Sequence, residues 1–181
     1  MKTNITYKTR KVKKGLLFIL LISLSFTLSA QRKFRDYLIT GSSMFISGAL
    51  DGTIESISYH YDNGFKNRFH KINNQFWDPS VSWKNKYRDG NSLLGPKFTG
   101  STNMLVCTTD GYHMLRAAKR AVDGLTLAYY VNDQCADWKK SNSKKWKNMI
   151  VDFIILTAIR SAGFNLTYNL MFNPRNNYLQ N

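Results

Sequence analysis

Apolar residues recur at helical spacing in three stretches of this chain, separated by polar or glycine-rich segments. Between residues 44 and 61, Phe45, Ala49, Leu50, Ile54 and Ile57 follow a period near 3.6 and not the alternation of a strand. Ser42 and Ser43 offer an N-cap ahead of Met44. Gly48 and Gly52 each weaken such a helix by ~1 kcal/mol, yet at i and i+4 they let another helix approach closely. A second helix is expected from Ser101 to Tyr130, nearly all apolar or small over 104–109, then striped by Leu115, Ala118, Val122 and Leu125. A third is expected from Lys145 to Leu170, with Met149, Phe153, Leu156, Ile159 and Ala162 apolar, and Asn173-Pro174 beyond its end.

The stretch between the first two helices has another character. Asp62-Asn63-Gly64 reads as a turn, and Phe65, Phe69 and Ile72 suggest a short helix over 65–75. From Phe76 to Gly100, Pro79, Asp89-Gly90 and Gly95-Pro96 exclude a long regular element. Phe76, Trp77, Trp83 and Tyr87 point to an ordered loop pinned by buried rings, and ordered loops of this length are often functional. The predicted fold is all-α: one helical domain over 42–172 with about three main helices, a basic lead-in over 31–41 and a polar tail over 173–181.

Ahead of this domain, residues 1–30 read as an export signal. Lys2, Lys8, Arg10, Lys11, Lys13 and Lys14 precede the apolar run Leu16–Leu28, and Leu28-Ser29-Ala30 supplies a small-residue site with cleavage expected after Ala30. The alternative is an uncleaved anchor, against which the run is short of the roughly 20 apolar residues of a spanning helix. Export places the protein in the periplasm or cell envelope.

The leader changes the charge picture. Six of the 26 Lys and Arg and none of the 11 Asp and Glu precede residue 31, so the remainder carries 20 against 11, or +9 of the overall +15. A basic exported domain favours a membrane surface or another anionic envelope component as partner. The Lys139, Lys140, Lys144, Lys145 and Lys147 cluster reads first as a solvated loop and helix start. No nucleic-acid motif is present.

The two cysteines, Cys107 and Cys135, are either separate thiols or, in an oxidising compartment, a disulfide. Candidate chemistry gathers on two helices. Asp51 and Glu55, the only glutamate, share a face at i and i+4, and Asp110 and His113 share another at i and i+3. A carboxylate that accepts from one ring nitrogen leaves the other free for acid/base work or a metal. If the first two helices pack through their glycines, Asp51, Glu55, Asp110 and His113 converge as ligands for a divalent metal, or Glu55, Asp110 and His113 as a catalytic group. The competing reading is a structural polar network, with Asp110 fixing His113 and Glu55 answering Arg116 or Arg120. Trp77, Trp83 and Tyr87 are candidates for a ligand-binding face, or else plug the core beneath the loop. Hydrolase elbows, zinc-protease helices and phosphate-binding glycine loops are absent from the sequence.

The segments FWDPSVSWKNKY (76–87) and PKFTGS with TTDGYHMLR (96–116) resemble small exported proteins of Bacteroidetes-type bacteria. The resemblance brings no catalytic residue with it and implies a cell-envelope location. The leading expectation is a non-enzymatic structural or interaction protein at the membrane surface, with no cofactor. The alternatives are an envelope hydrolase or metal enzyme and a small integral membrane protein. Against the last, Asp152 and Arg160 bracket the longest uncharged stretch of the third helix; each charge at mid-bilayer costs about 2.5–3.5 kcal/mol, which favours a helix buried in a soluble core.

Overall fold

The computed structural model describes residues 34–136 and 142–173. The leader, Lys139 and Lys140 of the lysine cluster, and the tail beyond Asn173 lie outside the described residues. The fold is all-α, with no strand among the described residues and one isolated bridge, Tyr87 to Pro96. Three long helices dominate: α1 (Phe34–Tyr59), α2 (Gly111–Ala136) and α3 (Asn142–Asn165), the last continuing as a π-helical turn over Leu166–Met171.

Two of these starts differ from expectation. Residues 34–41, read as part of a lead-in, are the first two turns of α1, because Asp36 and Thr40 share its inward face and are buried there. Ser42 is therefore exposed within a continuing helix and caps nothing. At α2 the Ser101 hydroxyl donates instead to the Lys86 carbonyl (2.7 Å), and the chain makes short turns until Gly111. Asp110 then caps α2, its Oδ1 accepting from the His113 backbone N–H at 2.8 Å.

The delayed start also decides the cysteines. Cys107 is a free thiol in a 3-10 turn before α2, while Cys135, whose side chain is outside the described residues, belongs to the helix's last turn. At 1.5 Å per residue Gly111 and position 135 are ~36 Å apart along the axis. A disulfide needs Cα atoms within about 7 Å, so the Cys107–Cys135 bridge is not made.

Helix α1 is the centre of the bundle. α3 runs parallel to it and α2 antiparallel, and α2 and α3 lie against α1 far more than against each other. The α1–α3 seam is built on glycine: a Cβ on Gly48 would run into the Arg160 carbonyl, one on Gly52 into Thr167, and one on Gly163 into the Phe45 carbonyl. The close approach expected of Gly48 and Gly52 is real, but the helix that uses it is α3 and not α2.

The faces agree with expectation in part. Ile54 and Ile57 of the predicted stripe are buried, but α1 also buries Asp36, Thr40, Ser47 and Ser56 together with its glycines, while Phe34, Leu38, Phe45 and Ile46 are exposed. On α3 the neighbours Asp152 and Phe153 are 2% and 71% exposed. Of the apolar positions predicted for α3, Leu156 is buried, whereas Met149, Phe153 and Ala162 face out. Leu125 and Leu127 of α2 are likewise exposed.

Residues 60–110 form an insert of short helical turns seated on one end of the bundle. Side chains of Asn73, Asp78 and Asn91 cap successive turns, accepting from the N–H groups of Gln75, Ser80 and Leu93. The helix expected over 65–75 is replaced by turns over Tyr61–Phe65 and Lys66–Arg68 and a separate helix at Asn74–Trp77. Here burial is conventional: Ile57, Tyr61, Phe65 and Phe172 form an apolar core, with Ile72, Trp77 and Leu115 packed against it. Trp77 stacks over Gly111, where a Cβ would strike its ring, so the start of α2 is fixed by the insert.

Candidate functional site

Because α2 and α3 each take one side of α1, a third face of α1 is left between them. Tyr37, Met44, Asp51 and Glu55 recur on that face at spacings of seven and four, all half-buried, between the buried stripes that meet α2 and α3. Asp51 and Glu55 are the acidic residues of this face.

At its middle, four ionic side chains tie all three helices together. Arg160 of α3 donates to Asp51 at 2.9 Å, and Lys119 of α2 lies 3.9 Å from the same carboxylate. Lys119 also donates to Asp123 at 3.0 Å, and the Ser47 hydroxyl donates to the other Asp123 oxygen. The charges sum to zero and each has a partner of opposite sign, the arrangement that makes burial of ions tolerable. Nearer the start of α1, two carboxylates are almost wholly enclosed by tyrosine. Tyr129 donates to Asp36 at 2.6 Å, while Tyr37 and Tyr130 donate to Asp152 at 2.5 and 3.1 Å.

The sequence-predicted group is divided by this arrangement. Asp110 and His113 do come together: Nδ1 of His113 lies 2.8 and 2.9 Å from the two carboxylate oxygens, and Asp110 is buried and also bonded by the Thr109 hydroxyl. With Nδ1 donating to the carboxylate, Nε2 is the acceptor nitrogen of the neutral ring. Asp51, however, is taken by Arg160 and Lys119, since the glycine seam carries that face of α1 towards α3. Glu55 has no hydrogen-bond or ion-pair partner among the described residues. Arg116, one of the two partners expected for it beside Arg120, instead reaches the Tyr112 hydroxyl at 3.0 Å and lies over that ring. No group of three or more His, Cys, Asp or Glu is placed to hold a metal among the described residues, so the Asp51, Glu55, Asp110 and His113 ligand set does not assemble.

The aromatic candidates also separate. Trp77 packs against Phe65 and Phe76 and plugs the insert, whereas Trp83 and Tyr87 meet edge to face at the surface. Lys84 and Lys86 lie over the Trp83 and Tyr87 rings at 5.8 and 5.3 Å. Of the residues that build these polar clusters, Tyr37, Lys119, Asp123 and Tyr130 were not singled out in the sequence, and Asp152 and Arg160 were read there only as charges that interrupt the third helix. Their one visible signal was charge and tyrosine interrupting apolar stretches, which has no direction until the helices are paired.

None of the known protein families, curated proteins or solved structures matches this chain.

Proposed function

We propose that this chain is an integral membrane protein of the cell envelope, with a structural or interaction role, whose three long helices stand in lipid and hold the aromatic insert at the bilayer surface. The observation that carries this reading is the inverted polarity of the bundle. Asp36, Asp152, Thr40 and Ser47 lie inside, and Phe34, Leu38, Leu125 and Phe153 lie outside. In water each such exposed side chain forgoes about 1.5–3 kcal/mol of burial, whereas lipid is the solvent in which this arrangement is favourable. One of the three helices, Trp146–Met171, is long and apolar enough to span by length and composition, and its 26 residues rise ~39 Å against a hydrocarbon core of ~30 Å.

The charges that argued for a soluble core support the membrane reading once their directions are known. Asp152 and Arg160 turn inward to tyrosine and aspartate partners, as ionisable groups in membrane helices do. The insert suits the headgroup region, where tryptophan and tyrosine with basic neighbours anchor a protein. Trp83 with Lys84 and Tyr87 with Lys86 are such pairs, and Leu93, 91% exposed, and Met104 are free to enter the interface. The resemblance to exported Bacteroidetes-type proteins and the leader support the envelope as the location.

Alkaline carbonate washing of membranes from cells making the full chain tests the proposal. The protein is expected to stay in the pellet and to need detergent for release. Recovery in the wash supernatant, as a soluble monomer without detergent, overturns it.

A further inference from the structure

The insert gathers cations that no carboxylate answers. Over 79–109 the chain carries Lys84, Lys86, Arg88 and Lys97 against one acid, Asp89. None of these five is in an ion pair among the described residues, whereas Lys119 and Arg160 of the bundle are both paired. We propose that this loop is a binding site for anionic phospholipid, in which the four cations take the lipid phosphates and Leu93 and Leu94 enter the acyl chains beside them. The inference rests on the membrane reading and deepens it by naming the lipid that the insert selects.

The backbone brings the charges together. Tyr87 and Pro96 form an antiparallel bridge, with the Lys97 N–H donating to the Lys86 carbonyl at 2.9 Å and the Arg88 N–H to the Gly95 carbonyl at 3.1 Å. Lys86 therefore stands opposite Lys97, and Arg88 is two residues along. Like charges directly opposite each other destabilise a cross-strand pair, and an anion between them removes the repulsion. The Ser101 hydroxyl, donating to the Lys86 carbonyl at 2.7 Å, and Arg88 Nε, donating to the Pro96 carbonyl at 3.3 Å, hold the two segments in place. The terminal guanidinium nitrogens of Arg88 have no partner among the described residues and suit phosphate oxygens.

The loop that the bridge closes carries the apolar half of the site. Leu93 and Leu94 lie in a 3-10 turn capped by Asn91, whose side chain accepts from the Leu93 N–H at 3.0 Å. The turn is ordered by its own bonds, yet Leu93 is 91% and Leu94 50% exposed. Leucines held outward on a fixed backbone, a few residues from unanswered cations, match the boundary between headgroups and acyl chains, where both find partners. Trp83 and Tyr87, with Lys84 and Lys86 over their rings, suit the same depth. An acidic soluble protein would also answer the charges; lipid is favoured because the membrane reading already sets the insert at the bilayer surface.

The test uses the full chain carrying Cys107→Ser, Cys135→Ser and Leu93→Cys, labelled at the new thiol with a fluorophore. It is reconstituted in vesicles of equal parts phosphatidylcholine and phosphatidylglycerol, with an acyl-chain nitroxide on one lipid or the other at the same mole fraction. Phosphatidylglycerol should quench the label several-fold more than phosphatidylcholine. Lys86→Gln with Lys97→Gln should bring that ratio close to one, and Lys86→Arg with Lys97→Arg should keep it. Lys66→Gln with Lys71→Gln makes the same change in net charge elsewhere in the insert and should also keep it. Equal quenching by the two lipids in the parent overturns the proposal. So does a preference that both Gln pairs abolish or both leave intact. Absence of quenching by either lipid also overturns it, and leaves the cations to a soluble acidic partner. Each of those results is compatible with carbonate resistance, so failure here is distinct from failure of the membrane reading.

Discussion

Where the insert meets the bundle, rings are inside: Tyr61 and Phe65 of the insert and Phe172 beyond α3 are buried in one cluster, and Lys66, Arg68 and Lys71 are at the surface. In the bundle, at the other end of α1, Phe34 and Leu38 are outside while Asp36 and Thr40 are inside. One chain thus follows two opposite burial rules. Both are the hydrophobic effect acting in a different solvent: in water apolar area drives burial, whereas in lipid backbone contact and hydrogen bonds between helices hold the structure. The bundle shows those substitutes in its glycine seam and its tyrosine–aspartate pairs.

The sharpest contrast is between two phenylalanines. Phe65→Ala removes a ring from the insert core and should cost ~3–5 kcal/mol. Phe153→Ala trims a ring that faces out of α3 and should stay within ~0.5 kcal/mol. Denaturation of the full chain in lipid bicelles measures both. A Phe153→Ala loss as large as that of Phe65→Ala would mean that α3 is covered by protein and that the contrast fails.

Ala158→Asp puts a charge on the outward face of α3. Ala158 is exposed near the middle of Trp146–Met171. In lipid an aspartate there should cost about 2.5–3.5 kcal/mol, whereas on a wetted surface it would be close to neutral. Membrane-inserted yield and bicelle stability report the difference.

Much of the architecture was legible in the sequence, and the polarity was not. The 3.6 period of Phe45 to Ile57 and of Met149 to Ala162 identifies helices, but a period marks only that two faces differ, not which one is inside. Asp110 and His113 were readable as a pair because they share one helical turn. The partners of Asp152 are Tyr37 and Tyr130, 115 and 22 residues away, and no local spacing announces them. Glu55 was misplaced for one reason: Gly48 and Gly52 signal a close approach without saying whose. The first two turns of α1 were missed because Arg32, Lys33 and Arg35 look like a solvated lead-in.

Glycines of α1 and α2 meet different surroundings within the bundle. Gly48→Ala puts a Cβ against the Arg160 backbone, and α1 and α3 must part to admit it, at ~1–3 kcal/mol. Gly124→Ala, on α2, meets nothing within 4 Å and gains helix propensity, so it should be neutral or stabilising by up to ~1 kcal/mol. Thermal unfolding in detergent should therefore move in opposite directions for two chemically identical changes. Equal shifts would show that the bundle is not held by backbone approach.

The smallest effect tests the insert as the water-facing half. Tyr61 lies just beyond α1, and burial, aided by Asp78 and Asp62, raises its phenol above the ordinary tyrosine value of 10.0. Its hydroxyl donates to Asn74 at 2.9 Å, a bond that the phenolate cannot make. A raised folded-state value means that the native protein binds this proton more tightly than the unfolded chain does. The resulting stability is complete below pH 10 and is lost as pH rises through the folded value. Tyr61→Phe should remove this alkaline slope, at the expense near neutrality of about 0.5–1.5 kcal/mol for the lost hydrogen bond. The measurement is stability against pH from 8 to 11 for both proteins. Parallel curves would mean that the ring is already hydrated in the native state, and that the insert's core is less closed than the packing of Tyr61 against Phe65 requires.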